Sequence, residues 1–185
     1  MCWLLRWRKG AVGVACSAIA LTACASMNIG SYVDRGTDFQ QYRSYTWASS
    51  DRLSTGDPRL DNNPFFRQRL QSDVEAGLTT RGFEKRESGT ADLVVHYHAS
   101  VTQRIDISGL DLEYASCKQV ECQPFVYDAG AIVLDLVDTR TNRLVWRGWA
   151  EDSLDGVIDD QDWMERKIDE AVTRILVRLP RNPNF

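Results

Sequence analysis

The residues of this chain that could do chemistry fall into four small groups. His96 and His98 are its two histidines. Alternate positions of an extended strand share a face, so both imidazoles would point the same way, as two ligands of a metal ion must. Cys117 and Cys122 lie close in sequence and would complete a zinc site, bridge to one another, or stay as two unpaired thiols in a surface loop. Asp135 and Asp138 are near enough to be weighed as paired carboxylates for acid–base work. Cys24 ends an apolar run and carries the one good nucleophile of its neighbourhood. No nucleophile elbow, phosphate-cradling glycine loop or zinc-protease helix motif occurs.

The surroundings of Cys24 assign it first. Arg6, Arg8 and Lys9 precede an apolar stretch, Ala11 to Leu21, which is shorter than the roughly 20 residues a membrane-spanning helix needs. Basic, apolar and small residues in that order have the layout of a secretory signal peptide. Leu21-Thr22-Ala23-Cys24 resembles the bacterial lipobox, whose cysteine thiol takes a diacylglycerol and becomes the first residue after cleavage. Small residues before the cysteine fit a narrow peptidase site. Two or more acyl chains of the palmitate kind give a stable membrane anchor where one does not. Ala25 and Ser26 follow, without the Asp that favours inner-membrane retention in sorting of the enterobacterial kind. The expected address is the periplasmic face of the outer membrane, in preference to the inner membrane.

Processing there changes what remains. Removing residues 1–23 leaves 162 of 185 and takes away three basic residues and no acidic one, so the net charge moves from −4 to −7. An acidic domain is poorly suited to nucleic acid, which needs a basic face. The length fits one domain, able to bury about 68–70% of its unfolded surface without a metal or disulfide. Cys2 and Cys16 leave with the signal, so Cys117 and Cys122 stay as a pair in an oxidising compartment. A disulfide between them would contribute about 2 kcal/mol. That compartment, and a spacing longer than the two-residue gap common in zinc sites, argue against a metal. His96 and His98 then read as polar residues on the solvent side of a strand.

The positioning elements follow from periodicity. Residues 24–31 read as a lipidated tether and 32–185 as a single domain. Ser44 to Trp47 alternates as a strand, and Ala48 to Asn63 reads as a loop. Asn62 or Asn63 caps a helix with Pro64 in its first turn, a stripe of Phe66, Leu70, Val74 and Leu78, and Gly82 as terminator. Leu93, Val95, Tyr97, Ala99 and Val101 form one face of the next strand, with His96 and His98 opposite. Residues 103–123 read as a long connection with part of a strand around Ile105. Ala129 to Asp138 and Leu144 to Glu151 make a hairpin. Trp146 and Trp149 fall on opposite faces of its second strand, so at most one is core, and the exposed one is a candidate anchor for a partner. Asp135 and Asp138 fall at a strand end and turn, where Asp commonly bonds its own backbone. A last helix, about Asp160 to Leu179, presents Met164, Ile168, Ala171, Val172, Ile175, Leu176 and Leu179, and Pro180 ends it. The expected class is α+β: a two-layer sandwich of a largely antiparallel sheet with two amphipathic helices on one face.

With these pieces in place the chain resembles the DUF4136 family of bacterial lipoproteins. The resemblance rests on Asp34 with Phe39-Gln40-Gln41-Tyr42-Arg43-Ser44-Tyr45-Thr46-Trp47, on Arg81-Gly82-Phe83, and on Ala91 to Tyr97. It continues through Gly130 to Asp138, Asn142 to Gly148, and the closing helix into Leu179-Pro180. It implies location and architecture and supplies no catalytic residue, because the family is named for an unknown function. The expectation is a non-enzymatic binding or structural module without cofactor. Its membrane contact would be the lipid on Cys24, and its partner an envelope protein, a lipid or a cell-wall component. A lipid or small-molecule carrier is the alternative, and a periplasmic hydrolase using His96, His98 or the Asp135 region ranks below it.

Overall fold

The computed structural model describes residues 27–48, 55, 57–87, 89, 91–106 and 125–181. Their strands are β1 (Asn28–Val33), β2 (Ser44–Trp47), β3 (Glu84–Lys85), β4 (Leu93–Asp106), β5 (Phe125–Asp138) and β6 (Arg143–Ser153). The helices are α1 (Pro58–Asp61), α2 (Pro64–Thr80) and α3 (Gln161–Leu176), with a 3-10 turn at Phe39–Gln41. The strands form one sheet in the order β1-β6-β5-β4-β2-β3. Pairings from β1 to β4 are antiparallel, and β2 pairs in parallel with β4 and β3. The parallel part follows from connectivity: α2 lies between β2 and β4, and a parallel neighbour needs such a crossover. The class is α+β, with a mixed sheet that does not close into a barrel.

Both long helices obey their sequence signals. Asn63 caps α2 by accepting from the N–H groups of Phe65 and Phe66 at 3.0 and 3.3 Å. The stripe of Phe66, Leu70, Val74 and Leu78 is buried. Gly82 sits at φ 86° just past the helix end, where a left-handed residue closes the last turn. Asp160 caps α3 through the N–H of Trp163 at 2.9 Å. The two helices approach closely because Gly77 has no side chain: a Cβ there would lie 2.4 Å from Leu176 Cδ1.

Several boundaries differ from expectation. The edge strand begins at Asn28, so part of the presumed tether is sheet. Backbone pairing with β6 claims these residues, a non-local cause their own sequence does not advertise. Within the stretch read as a loop, Asp57 caps the one-turn helix α1, and Arg59 Nη2 closes on the same carboxylate at 2.6 Å. Helix α3 stops at Leu176, short of Pro180, although Leu179 is still buried beyond it. Around Ile105 the expected partial strand is the end of a long ladder from β4 to β5.

The core lies between the sheet and α2 and α3. Leu93, Val95, Leu134, Leu136, Trp146 and Ala150 supply the sheet side. A bulge decides which side of β6 joins them. Leu136 pairs with Trp146 but Val137 pairs with Leu144, leaving Val145 as the extra residue. Its carbonyl accepts the N–H of Asp34 at 3.0 Å. The indole of Trp146 is fully buried beside Gly148 and Ile175. Its Nε1–H has no hydrogen-bond partner among the described residues, the cost of placing so large a ring there.

Candidate functional site

Strand alternation sends the remaining side chains to the opposite face of the sheet, where no described helix lies. His96, His98, Asp135, Arg147 and Trp149 gather on it. Asp135 in β5 stands directly across from His96 in β4 and from Arg147 in β6. Arg147 grips it bidentately: Nε and Nη2 donate to Oδ1 and Oδ2, each at 2.6 Å. His98 Nε2 lies 3.7 Å from the same Oδ2. Although no described helix covers this face, Asp135 is only 5% exposed. Its hydrogen bonds to Arg147 raise the guanidinium's pKa against the effect of burial, so the cation is held in place.

Beside this pair the ring of Trp149 lies across Gly30 of β1, where a Cβ would fall 2.0 Å from Cζ2. Gly30 is therefore the seat of the indole. Tyr32, two residues on and paired with Arg147, is 48% exposed. Sequence reasoning named His96, His98, Asp135 and Trp149 but missed Arg147, Tyr32 and Gly30. A usable signal existed for Arg147, which lies two positions before Trp149 and so shares its face.

Asp138 is a different kind of carboxylate. Asp135 and Asp138 do not pair, and only Asp138 is at a strand end; Asp135 is held within β5 by its ladder to both neighbours. Asp138 accepts the hydroxyl of Tyr42 at 2.8 Å and the N–H groups of Arg140 and Thr141 at 2.8 and 3.0 Å. Burial alone would raise its pKa, but these hydrogen bonds outweigh it and hold the carboxyl below the usual range. Burial first, then Asp138, pushes Tyr42 up to about 12. The cluster closes the β5–β6 turn and ties it to the chain before β2.

Both carboxylates have their oxygens engaged. A carboxylate already taken by a guanidinium is a poor base, and a carboxylate serving two backbone N–H groups is a poorer one. Among the described residues no three of His, Cys, Asp and Glu converge on a point where a metal could sit. Cys24, Cys117 and Cys122 lie outside the described residues.

One half-enclosed apolar cavity of about 70 Å³ opens between the sheet and the first half of α3. Met27, Phe66, Ile132, Leu154, Met164 and Ile168 are among the residues around it. At its edge Lys167 Nζ donates to Asp152 Oδ2 at 2.5 Å.

Among solved structures, a PDZ domain protein from Parabacteroides distasonis is similar with a TM-score of 0.52 and 14% identity. The likeness covers 82% of this chain and 35% of that one, so the chain spans about a third of its length, and it bears on fold alone. PelC of Paraburkholderia phytofirmans, solved as a dodecamer, gives a TM-score of 0.44 at 10% identity, over 82% of this chain and 95% of that one. No curated protein matches the chain. Residues 30–181 match the profile of the domain of unknown function DUF4136, and with most of its length so covered the chain belongs to the DUF4136 family.

Proposed function

We propose that the protein is a non-enzymatic lipoprotein of the bacterial envelope, held by lipid on Cys24 to the periplasmic face of the outer membrane. On this reading the domain docks a protein partner against the uncovered face of its sheet. The observation that carries it is the grouping of Tyr32, Trp149 and Arg147 there, on strands fixed by the Asp135 pair and by the seat at Gly30. Tyr, Trp and Arg are the residue types that dominate binding energy at protein interfaces, and a rigid backing spares a partner the entropy of ordering them. The carrier reading finds less support, because sites for drug-sized ligands run to about 300–1,000 Å³ and the apolar cavity measures about 70 Å³.

A photo-crosslinking residue at Tyr32 tests the docking face in intact cells, with the exposed Val177 beyond α3 as a control position. Capture of one protein from Tyr32 and not from Val177, weakened by Arg147→Glu, is the expected result. Equal capture from both positions, or none from Tyr32, would overturn the reading. Replacing Cys24 with Ser should move the protein out of the mature membrane-bound pool.

A further inference from the structure

The apolar cavity is a departure from how protein interiors pack, since voids larger than a water molecule are few. Small residues keep it open: Ala99, Ala131, Ala150 and Ala171 stand around it, and a larger side chain at several of these positions would fill it. At about 70 Å³ it is less than half the size of an apolar cavity of about 150 Å³ that takes up benzene, so it has room for no more than the short end of one acyl chain. Its position relative to the N-terminus matters most. Met27 lines it, is buried, and leads directly into Asn28, which pairs with Glu151 in the sheet. Arg174 Nη2 also donates to the Met27 carbonyl at 3.4 Å. The chain is thus pinned at the cavity wall.

Cys24 precedes Met27 by three positions, so its Cα lies at most about 11 Å from that of Met27. An acyl chain spans about 15 Å, half of a bilayer's hydrocarbon core. We infer that the apolar cavity beside Met27 receives the end of an acyl chain carried on Cys24, so that this end of the domain lies against the membrane surface. The inference rests on the lipidation of Cys24 proposed above. No bond is made or broken in it: the chain end leaves its neighbours in the bilayer for an equally apolar enclosure.

The sequence supplies its own probe. Met1, Met27 and Met164 are the three methionines; loss of residues 1–23 removes the first, and the other two both line the cavity. Full-length protein labelled with methyl-13C methionine, matured in its host and dissolved in detergent with deuterated chains, should show two methyl signals. Once co-purified phospholipid has been exchanged away, both should give nuclear Overhauser cross-peaks to acyl methylenes, which can then come only from the protein's own lipid. In Ala171→Leu the cross-peaks should vanish while mass spectrometry still finds the acylated N-terminal peptide. An acylated wild-type peptide without cross-peaks overturns the inference and leaves the anchor standing. Cross-peaks that persist in a folded Ala171→Leu place the chain outside the cavity and overturn it as well. An N-terminal peptide that carries no acyl group sinks the anchor and the inference together. Should Ala171→Leu fail to fold, the wild-type spectra decide alone.

Discussion

The two faces of the sheet follow different rules. The covered face is apolar from β4 across to β6, and its side chains interlock with α2 and α3. The uncovered face is held by specific polar pairs, and its aromatic residues rest against backbone. Asp138 and Asp135 show the contrast within one strand. Both are almost fully buried, yet Asp138 spends its oxygens on a turn and a tyrosine, whereas Asp135 gives both of its own to Arg147. The first arrangement closes structure. The second fixes a cation and its neighbours at the surface.

The contrast can be broken or sharpened by substitution, starting where the effect is greatest. Leu70→Ala removes a fully buried side chain from the covered face and should cost about 2–5 kcal/mol by urea denaturation. A cost under 1 kcal/mol would mean that this face is loosely packed. Asp138→Asn should cost about 1–3 kcal/mol at neutral pH. The sign of its pH dependence is fixed: the folded carboxyl sits below its unfolded value of about 3.9, so its contribution is present above that value and is lost as pH falls through the folded one. The gap between wild type and Asp138→Asn should therefore shrink in acid; a constant gap would contradict the hydrogen bonds at the turn.

On the uncovered face Arg147→Met should cost about 1–2 kcal/mol by stranding Asp135. That is less than the 3–5 kcal/mol of a fully buried pair, since 45% of the Arg147 side chain meets water. Adding Asp135→Asn should recover part of the loss, and strict additivity of the two changes would show that the pair is not coupled. Tyr32→Ala should change stability by less than about 0.5 kcal/mol while reducing capture of a partner. A large loss of stability there would make Tyr32 a structural residue and remove the distinction between the faces.

Much of the covered face was legible in sequence because periodicity speaks for burial. The stripe of Phe66, Leu70, Val74 and Leu78, and the alternation from Leu93 to Val101, needed no knowledge of partners. The uncovered face was legible only residue by residue. Trp146 and Trp149 could be placed on opposite sides, but an even hairpin register would set Asp135 across from Trp146 and Arg147 across from Leu134, in the core. The extra residue at Val145 reverses that, carrying Trp146 inward and Arg147 onto Asp135. Nothing local in Leu144-Val145-Trp146 announces a bulge. For the same reason residues 28–31 read as tether and only Tyr32 and Val33 as part of the domain: an edge strand made by pairing with β6 leaves little trace in its own residues.

The ladder between β4 and β5 has a cost of another kind. Past Asp128, whose carbonyl still accepts the N–H of Leu154, it continues with no third strand beside it among the described residues. There Ile105 and Val126 face each other at 62% and 51% exposure. A ribbon whose two edges are unpaired among the described residues, with an exposed apolar pair, is a ready template for a further strand. In concentrated solution this ribbon is where self-association should begin, opposed by the cost of desolvating the Arg104–Glu151 ion pair beside it, 2.8 Å across.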